Sequence, residues 1–287
     1  MKLVRFGVPG EERPGVIDGD GRIRDLSGHV DDIASDALSD DNLRRLAALD
    51  AASLPLAPAS ARIGPCVGRV GKMICVGLNY SDHAAESNMA VPTEPVLFMK
   101  ATSAIVGAHD EVEIPPGAEK VDWEVELGVV IGREARYVSR EHALEYVAGY
   151  CVVNDVSERA YQLERGGQWD KGKGCDTFGP LGPWLVTRDE IPDPQSLRLW
   201  LEVDGKRYQD GSTRTMIFDV ATLVSYISQF MSLQPGDVIS TGTPPGVGLG
   251  QKPEPVFLRA GQTMRLGIDG LGEQQQRTVA ARLPEAR

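Results

Sequence analysis

The sequence predicts an α+β, β-rich fold, and three observations carry that expectation. Apolar, β-branched runs are short, as in Gly128-Val129-Val130-Ile131 and Gly149-Tyr150-Cys151-Val152-Val153, and turn-forming residues separate them. Glycine (32) and proline (19) are plentiful among 287 residues, enough to punctuate many strands. Long stretches of helical periodicity are missing, which argues against a helical bundle. The length allows one large domain or a main domain with a small companion, and a division at residue 66 is expected.

Residues 1–66 read as the smaller unit. Leu3 to Phe6 alternates as a strand, and Gly15-Val16-Ile17 and Arg22-Ile23-Arg24 flank the turn Asp18-Gly19-Asp20-Gly21. A helix is expected from Asp40 to Ala48, capped by Asp40 or Asp41, followed by a linker marked by Pro55, Pro58 and Pro65. No group of chemically active side chains gathers there, so the unit suits a lid, a brace or a dimer element. Residues 67–287 hold the remainder. Strands are expected at Ile74–Gly77 and Pro95–Lys100, and an amphipathic helix from Ser139 to Tyr150. An Asp204-Gly205 hairpin, an apolar helical face from Phe218 to Phe230 and a strand from Asp237 to Ser240 follow.

A formal net charge of −11 argues against nucleic acid and anionic membrane as main partners, since both require a basic surface. The four cysteines, Cys66, Cys75, Cys151 and Cys175, form no C-x-x-C pair and read as reduced thiols. The first residues carry no apolar signal region, and no apolar run approaches the ~20 residues of a membrane span. A soluble, cytoplasmic protein is expected.

Chemistry concentrates around Asp122-Trp123-Glu124-Val125-Glu126-Leu127. In a strand Glu124 and Glu126 project to the same side, one pleat apart. They are either the wet face of an edge strand or two ligands of a buried cation. Asp155 ends a second apolar strand, and three oxygen ligands without cysteine favour Mg²⁺ or Mn²⁺ over Zn²⁺. On a helical turn His83 and Glu86 would be neighbours, as a carboxylate-steered base or as a plain surface pair. Arg159, Lys173 and Lys100 suit a small anionic substrate. Gly167 to Lys173 has the spacing of a phosphate-cradling loop, but Gly174 stands where a hydroxyl should bind magnesium and no strand precedes it. Thr241 to Gly248 does not complete a dinucleotide fingerprint.

Taken together, Asn79-Tyr80-x-x-His83-x-x-Glu86, Asp122-Trp123-Glu124-x-Glu126-Leu127 and Asn154-Asp155-Val156-Ser157-x-Arg159-x-x-Gln162 resemble the fumarylacetoacetate hydrolase family. The segments Gly172 to Pro180 and Ser240 to Gly248 extend the resemblance over roughly residues 70 to 272. It implies a mixed β-roll core and a homodimer. It also implies Mg²⁺ or Mn²⁺ on Glu124, Glu126 and Asp155, a His83–Glu86 dyad, and substrate contacts from Arg159, Gln162, Lys173 and Thr243. The implied chemistry is retro-Claisen hydrolysis of a 2,4-dioxo acid. His83 would activate water, Lys173 with Gln162 would stabilise the oxyanion, and pyruvate would leave. The run from Glu158 to Pro183 is most similar to a sugar-acid branch of the family. Gly174-Cys175 departs from the Ser-Phe that many members carry. A decarboxylase, which needs no water-activating base, and a metal-stabilised binding protein without turnover are the competing readings.

Overall fold

The computed structural model describes residues 1–82 and 91–282. Among them the chain forms seventeen strands, which begin with β1 (Lys2–Phe6), β2 (Arg13–Ile17), β3 (Ile23–Asp25), β4 (Met73–Gly77), β5 (Val96–Lys100) and β6 (Ile105–Val106). The central set is β7 (Val112–Ile114), β8 (Val121–Asp122), β9 (Val125–Ile131), β10 (Val147–Asn154), β11 (Ser157–Glu158) and β12 (Gly179–Thr187). The last are β13 (Arg198–Val203), β14 (Lys206–Ser212), β15 (Val238–Ser240), β16 (Thr263–Ile268) and β17 (Gly272–Ala280). The largest sheet runs β3-β2-β1-β12-β10-β9-β15-β4-β5, with β6 beside β12. A second sheet runs β14-β13-β16-β17-β7, and β8 pairs with β11. The β-rich, mixed-sheet expectation therefore holds.

The sheet joins the first 66 residues to the rest. β1 lies antiparallel to β12, with Lys2 opposite Val186 and Leu3 opposite Leu185. Leu3, Leu26 and Leu38 share an apolar cluster with Cys75, Cys151 and Val153 of the large sheet. The expected hairpin forms, with Val16 opposite Arg24. The first helix, Asp40–Ala47, is capped by Ser39 rather than by an aspartate, because the Ser39 hydroxyl accepts from Asn42 N at 3.4 Å.

The expected helix from Ser139 to Tyr150 is not formed. A 3₁₀ segment, Arg140–Tyr146, gives way to β10 at Val147. Val147 and Tyr150 pair with Ile131 and Val129 of β9, so β-branched pairing overrides the helical stripe. The later helix spans Val220–Ser228 and is capped by Asp219, leaving Phe230 exposed. The Asp204-Gly205 hairpin forms as expected between β13 and β14.

Alternation along β9 positions the site. Val125, Leu127, Val129 and Ile131 enter one apolar cluster and Val130 enters the other, so Glu126 shares the face of Gly128 and Val130. β10 lies antiparallel to it, with Asn154 opposite Val125, so the chain leaves β10 beside the start of β9. Asn79, just beyond β4, closes this end of the sheet. Its buried amide donates to Thr241 O at 2.8 Å and Phe218 O at 3.0 Å, while its oxygen accepts from Phe218 N at 2.8 Å. Replacing Asn79 with Ala takes the side-chain partner from the buried Thr241 O and from the part-buried Phe218 N and O. A loss of about 2 kcal/mol or more is expected, read as a lower midpoint in urea unfolding.

Candidate metal centre and substrate cavity

Glu124 immediately precedes β9, Glu126 is its second residue and Asp155 follows β10, so two adjacent antiparallel strands deliver all three to one place. Asp155 N donates to Glu124 O at 2.9 Å, which fixes the strand ends against each other. Glu124, Glu126 and Asp155 are all buried, and each brings an oxygen to within 4.8 Å of the other two. That burial excludes the wet-edge alternative.

Three cations answer the carboxylates. Lys173 Nζ donates to Glu124 Oε2 at 2.6 Å and Asp155 Oδ2 at 2.8 Å. Lys100 Nζ donates to Asp155 Oδ1 at 2.5 Å and Val156 O at 3.0 Å. Arg159 reaches Glu124 Oε1 through Nη2 at 2.7 Å, Asp122 Oδ2 through Nε at 2.8 Å and Gln162 Oε1 through Nη1 at 3.0 Å. Burial alone would raise the Glu124 carboxyl, but the charges of Lys173 and Arg159 bring it down to about 2. Burial opposes the charge of Lys173, whose flanking carboxylates nevertheless hold it above its ordinary value.

Glu126 is placed differently. Its Oε2 accepts from Ser240 Oγ at 2.6 Å and from Gly242 N at 2.9 Å, both neutral donors. Gly242 has φ +95, and a Cβ there would sit 2.9 Å from the Asn79 Cβ, so glycine is what lets its N–H approach. Burial, then the charges of Asp155 and Glu124, push the Glu126 carboxyl well above its usual value. Counted as ionised, Asp122, Glu124, Glu126 and Asp155 outnumber Lys100, Arg159 and Lys173 by one charge, an excess in keeping with the raised Glu126 carboxyl. Hard oxygen donors, close spacing and that excess at Glu126 all fit a divalent ion.

The cluster opens onto a cavity of about 350 Å³. Glu124, Glu126, Arg159, Gln162, Lys173, Thr243 and Lys252 supply its polar lining, and Val76, Phe98, Leu163, Trp169, Val247 and Leu249 are among its apolar walls. Phe98 and Trp169 pack edge-on at 5.4 Å, and Lys173 Nζ lies 5.1 Å from the Phe98 ring centre. The geometry can seat a small anion against a charged floor with its substituent along an apolar wall.

Most of the residues singled out from the sequence meet here. Arg159, Gln162, Lys173 and Thr243 line the cavity with Glu124 and Glu126, whereas Asp155 sits behind them, its two oxygens held by Lys100 and Lys173. The Thr243 hydroxyl donates to Val125 O at 2.9 Å and accepts from Gln209 Nε2 at 2.8 Å, tying it to β9. Lys100 is not a lining residue; its ammonium is held on Asp155 and Val156. His83 and Glu86 lie outside the described residues. Gly167 to Lys173 forms no phosphate cradle, since Lys173 ends a single helical turn, Asp170–Lys173, directed at carboxylates. Burial raises the Cys175 thiol, which argues against a nucleophile. Sequence reasoning missed Asp122 as a functional group, together with the walls Phe98, Trp169 and Leu249. Phe98 lay in a run readable only as a strand, and Trp169 in a glycine-rich stretch without periodicity.

Glu126→Gln keeps the shape of the side chain and removes a ligand charge. Mn²⁺ affinity followed by electron paramagnetic resonance should fall by about 100-fold, with the circular dichroism spectrum unchanged. An unaltered affinity would remove Glu126 from the ligand set.

Residues 72–279 match the model of the fumarylacetoacetate (FAA) hydrolase C-terminal domain. A Burkholderia multivorans protein described as a candidate hydrolase is 69% identical over 282 residues, covering 98% of this chain and all of that one. Among solved structures, a fumarylacetoacetate hydrolase from Exiguobacterium antarcticum has 38% identity and a TM-score of 0.84, covering 98% of this chain and 100% of its own. A 5-carboxymethyl-2-hydroxymuconate delta-isomerase from Mycobacterium smegmatis has 33% identity and a TM-score of 0.76, covering 99% and 100%. A maleylpyruvate hydrolase from a Sphingobium species, solved with manganese(II) and pyruvate, has 31% identity and a TM-score of 0.81, covering 98% and 100%. No helix among the described residues is long and apolar enough to cross a membrane. With the family model spanning most of the chain and the triad at its centre, this protein belongs to the fumarylacetoacetate hydrolase family.

Proposed function

We propose that the chain is a divalent-metal-dependent hydrolase that cleaves the carbon–carbon bond of a 2,4-dioxo acid and releases pyruvate. The observation that carries this reading is the buried Glu124, Glu126 and Asp155 triad, two of whose members, Glu124 and Glu126, line a cavity with Arg159, Gln162 and Lys173. A Mg²⁺ or Mn²⁺ ion held by the triad would supply Lewis acidity toward the carboxylate and 2-oxo oxygens of the substrate. The Sphingobium relative solved with manganese and pyruvate supports the choice of ion and product class.

The side chains of the cavity then divide the work. Arg159 and Lys173 keep fixed positive charge at the floor, where a carboxylate head group is drawn in. Arg159 Nη1 occupies Gln162 Oε1, which leaves the Gln162 Nε2 group as the donor available to a substrate oxygen. Lys173 and Gln162 stand beside the carbonyl whose oxygen gains charge. His83, steered by Glu86, takes a proton from water as the water oxygen adds to C4. The bond between C3 and C4 breaks, C4 leaves as a carboxylic acid and C3 takes up a proton to give pyruvate.

Within this class we assign 2,4-diketo-3-deoxy-L-rhamnonate as substrate and L-lactate as second product, on the sequence from Glu158 to Pro183. With that assignment go a role in L-rhamnose breakdown in the cytoplasm and, as separate parts of the same proposal, a homodimer in which residues 67–287 are catalytic and residues 1–66 brace them. An isomerase reading is favoured by the Mycobacterium smegmatis relative. It predicts a shifted double bond and no pyruvate.

A panel of 2,4-dioxo acids, assayed for pyruvate with and without Mg²⁺, tests the proposal. Metal-dependent pyruvate is expected with an equimolar second acid, fastest from the deoxyrhamnonate derivative. His83→Ala should slow it by about 10²–10⁴-fold. Oxaloacetate decarboxylation that survives His83→Ala would point to the decarboxylase. Absence of pyruvate from every member of the panel would sink the hydrolase reading.

A further inference from the structure

Asp122 is fully buried and belongs neither to the ligand triad nor to the cavity lining, yet it collects four hydrogen bonds. Oδ1 accepts from Trp123 N at 2.8 Å and Gly248 N at 2.6 Å, and Oδ2 accepts from Leu249 N at 3.0 Å and Arg159 Nε at 2.8 Å. Two of these donors belong to the loop whose Val247, Leu249 and Gly250 form a cavity wall, and one belongs to the cavity-lining guanidinium. A Cβ on Gly248 would lie 2.0 Å from Val256 O and 2.7 Å from Asp122 Oδ1, so glycine is required for the loop to reach the carboxylate. Arg159 meets an acceptor at each of its three nitrogens, and Asp122 is the one that also holds the wall.

We propose that Asp122 is a positioning residue that locks the Arg159 guanidinium and the Gly248–Leu249 wall into one unit, so that head-group binding and wall placement are set together. The proposal rests on the reading above in one respect, that Arg159 receives the substrate carboxylate. Asp122 contributes no ligand and touches no substrate; its effect passes through Arg159 and the loop. Loss of a buried ion pair with a purely structural role would lower stability without moving ligand affinity.

Asp122→Asn separates the two roles. An amide can keep one oxygen toward Trp123 N and Gly248 N, but its NH₂ then faces Leu249 N–H and Arg159 Nε–H, donor against donor. Pyruvate titrated calorimetrically in the presence of Mg²⁺ should bind about tenfold more weakly to Asp122→Asn. In turnover KM should rise by a similar factor, with kcat within about threefold. In the Asp122→Asn, Arg159→Lys double variant the loss should not exceed that of the larger single variant. Independently of any variant, pyruvate should slow hydrogen exchange of the Leu249 amide in the unaltered chain. Unchanged pyruvate affinity in a destabilised Asp122→Asn, additive losses in the double variant, or Leu249 exchange indifferent to pyruvate would each overturn the proposal. So would failure of the unaltered chain to bind pyruvate. Pyruvate binding with these signatures but without cleavage of any 2,4-dioxo acid would sustain it and remove the hydrolase reading alone.

Discussion

Charge compensation among buried groups is the constraint on which this site depends. Asp122, Glu124, Glu126 and Asp155 are all at most 6% exposed, and so are Lys100, Arg159 and Lys173. Burying an unpaired carboxylate costs several kcal/mol even after relaxation, so the group persists only as an interlocked set. Six ion contacts and hydrogen bonds at 2.5 to 3.0 Å, from Lys100 on Asp155 to Arg159 on Gln162, do the interlocking. The remaining surplus of one negative charge falls at Glu126, where only Ser240 and Gly242 donate. A divalent ion overcompensates by one, and a monoanionic head group then restores neutrality.

Such a cluster needs a rigid frame, and the sheet provides it by supplying strand ends rather than loops alone. β9 and β10 pair over nearly their whole length, so the separation of Glu124, Glu126 and Asp155 is set by backbone hydrogen bonds. β15 is antiparallel to β9 and parallel to β4, which brings Ser240 and Gly242 to Glu126 and Asn79 to Thr241. Each donor is thus oriented before any ligand arrives. Preorganised dipoles of this kind stabilise developing charge without reorganising during the reaction.

Much of this was legible in the sequence, for reasons that also explain what was not. Strand alternation puts Glu124 and Glu126 on one face whatever the tertiary context, and the apolar run before Asp155 marks a second strand end. Lys173 and Arg159 were readable as cations near the site, but their partners depend on folding across 18 to 49 residues of sequence. Lys100 shows the same limit: its place at a strand end was readable, whereas its engagement by Asp155, 55 residues away, was not. The stretch after Ser139 misled because Ala143, Leu144, Val147 and Ala148 fit a helical stripe. Only the pairing of Val147 with Ile131 shows that the last two belong to a strand. Asp122 was invisible as a functional group because its significance lies in Gly248 and Leu249, more than 120 residues on.

The cavity divides into a charged floor and an apolar wall, and the two impose different degrees of selectivity. The floor is fixed by long-range charge balance, so single changes there unbalance several partners at once. The wall residues Phe98, Leu163, Trp169, Val247 and Leu249 come from separate segments and contribute mainly contact area. Discrimination by one methylene against such a wall is worth about 1–3 kcal/mol, so modest substitutions can exchange one preferred substituent for another. In the proposed reaction, recognition of the head group would withstand that drift, since it is assigned to Arg159, Gln162 and Lys173 on the charged floor rather than to the wall. Under the proposed reaction the charged floor would constrain the reacting end of the substrate more tightly than the group beyond C4, which would fall to the wall.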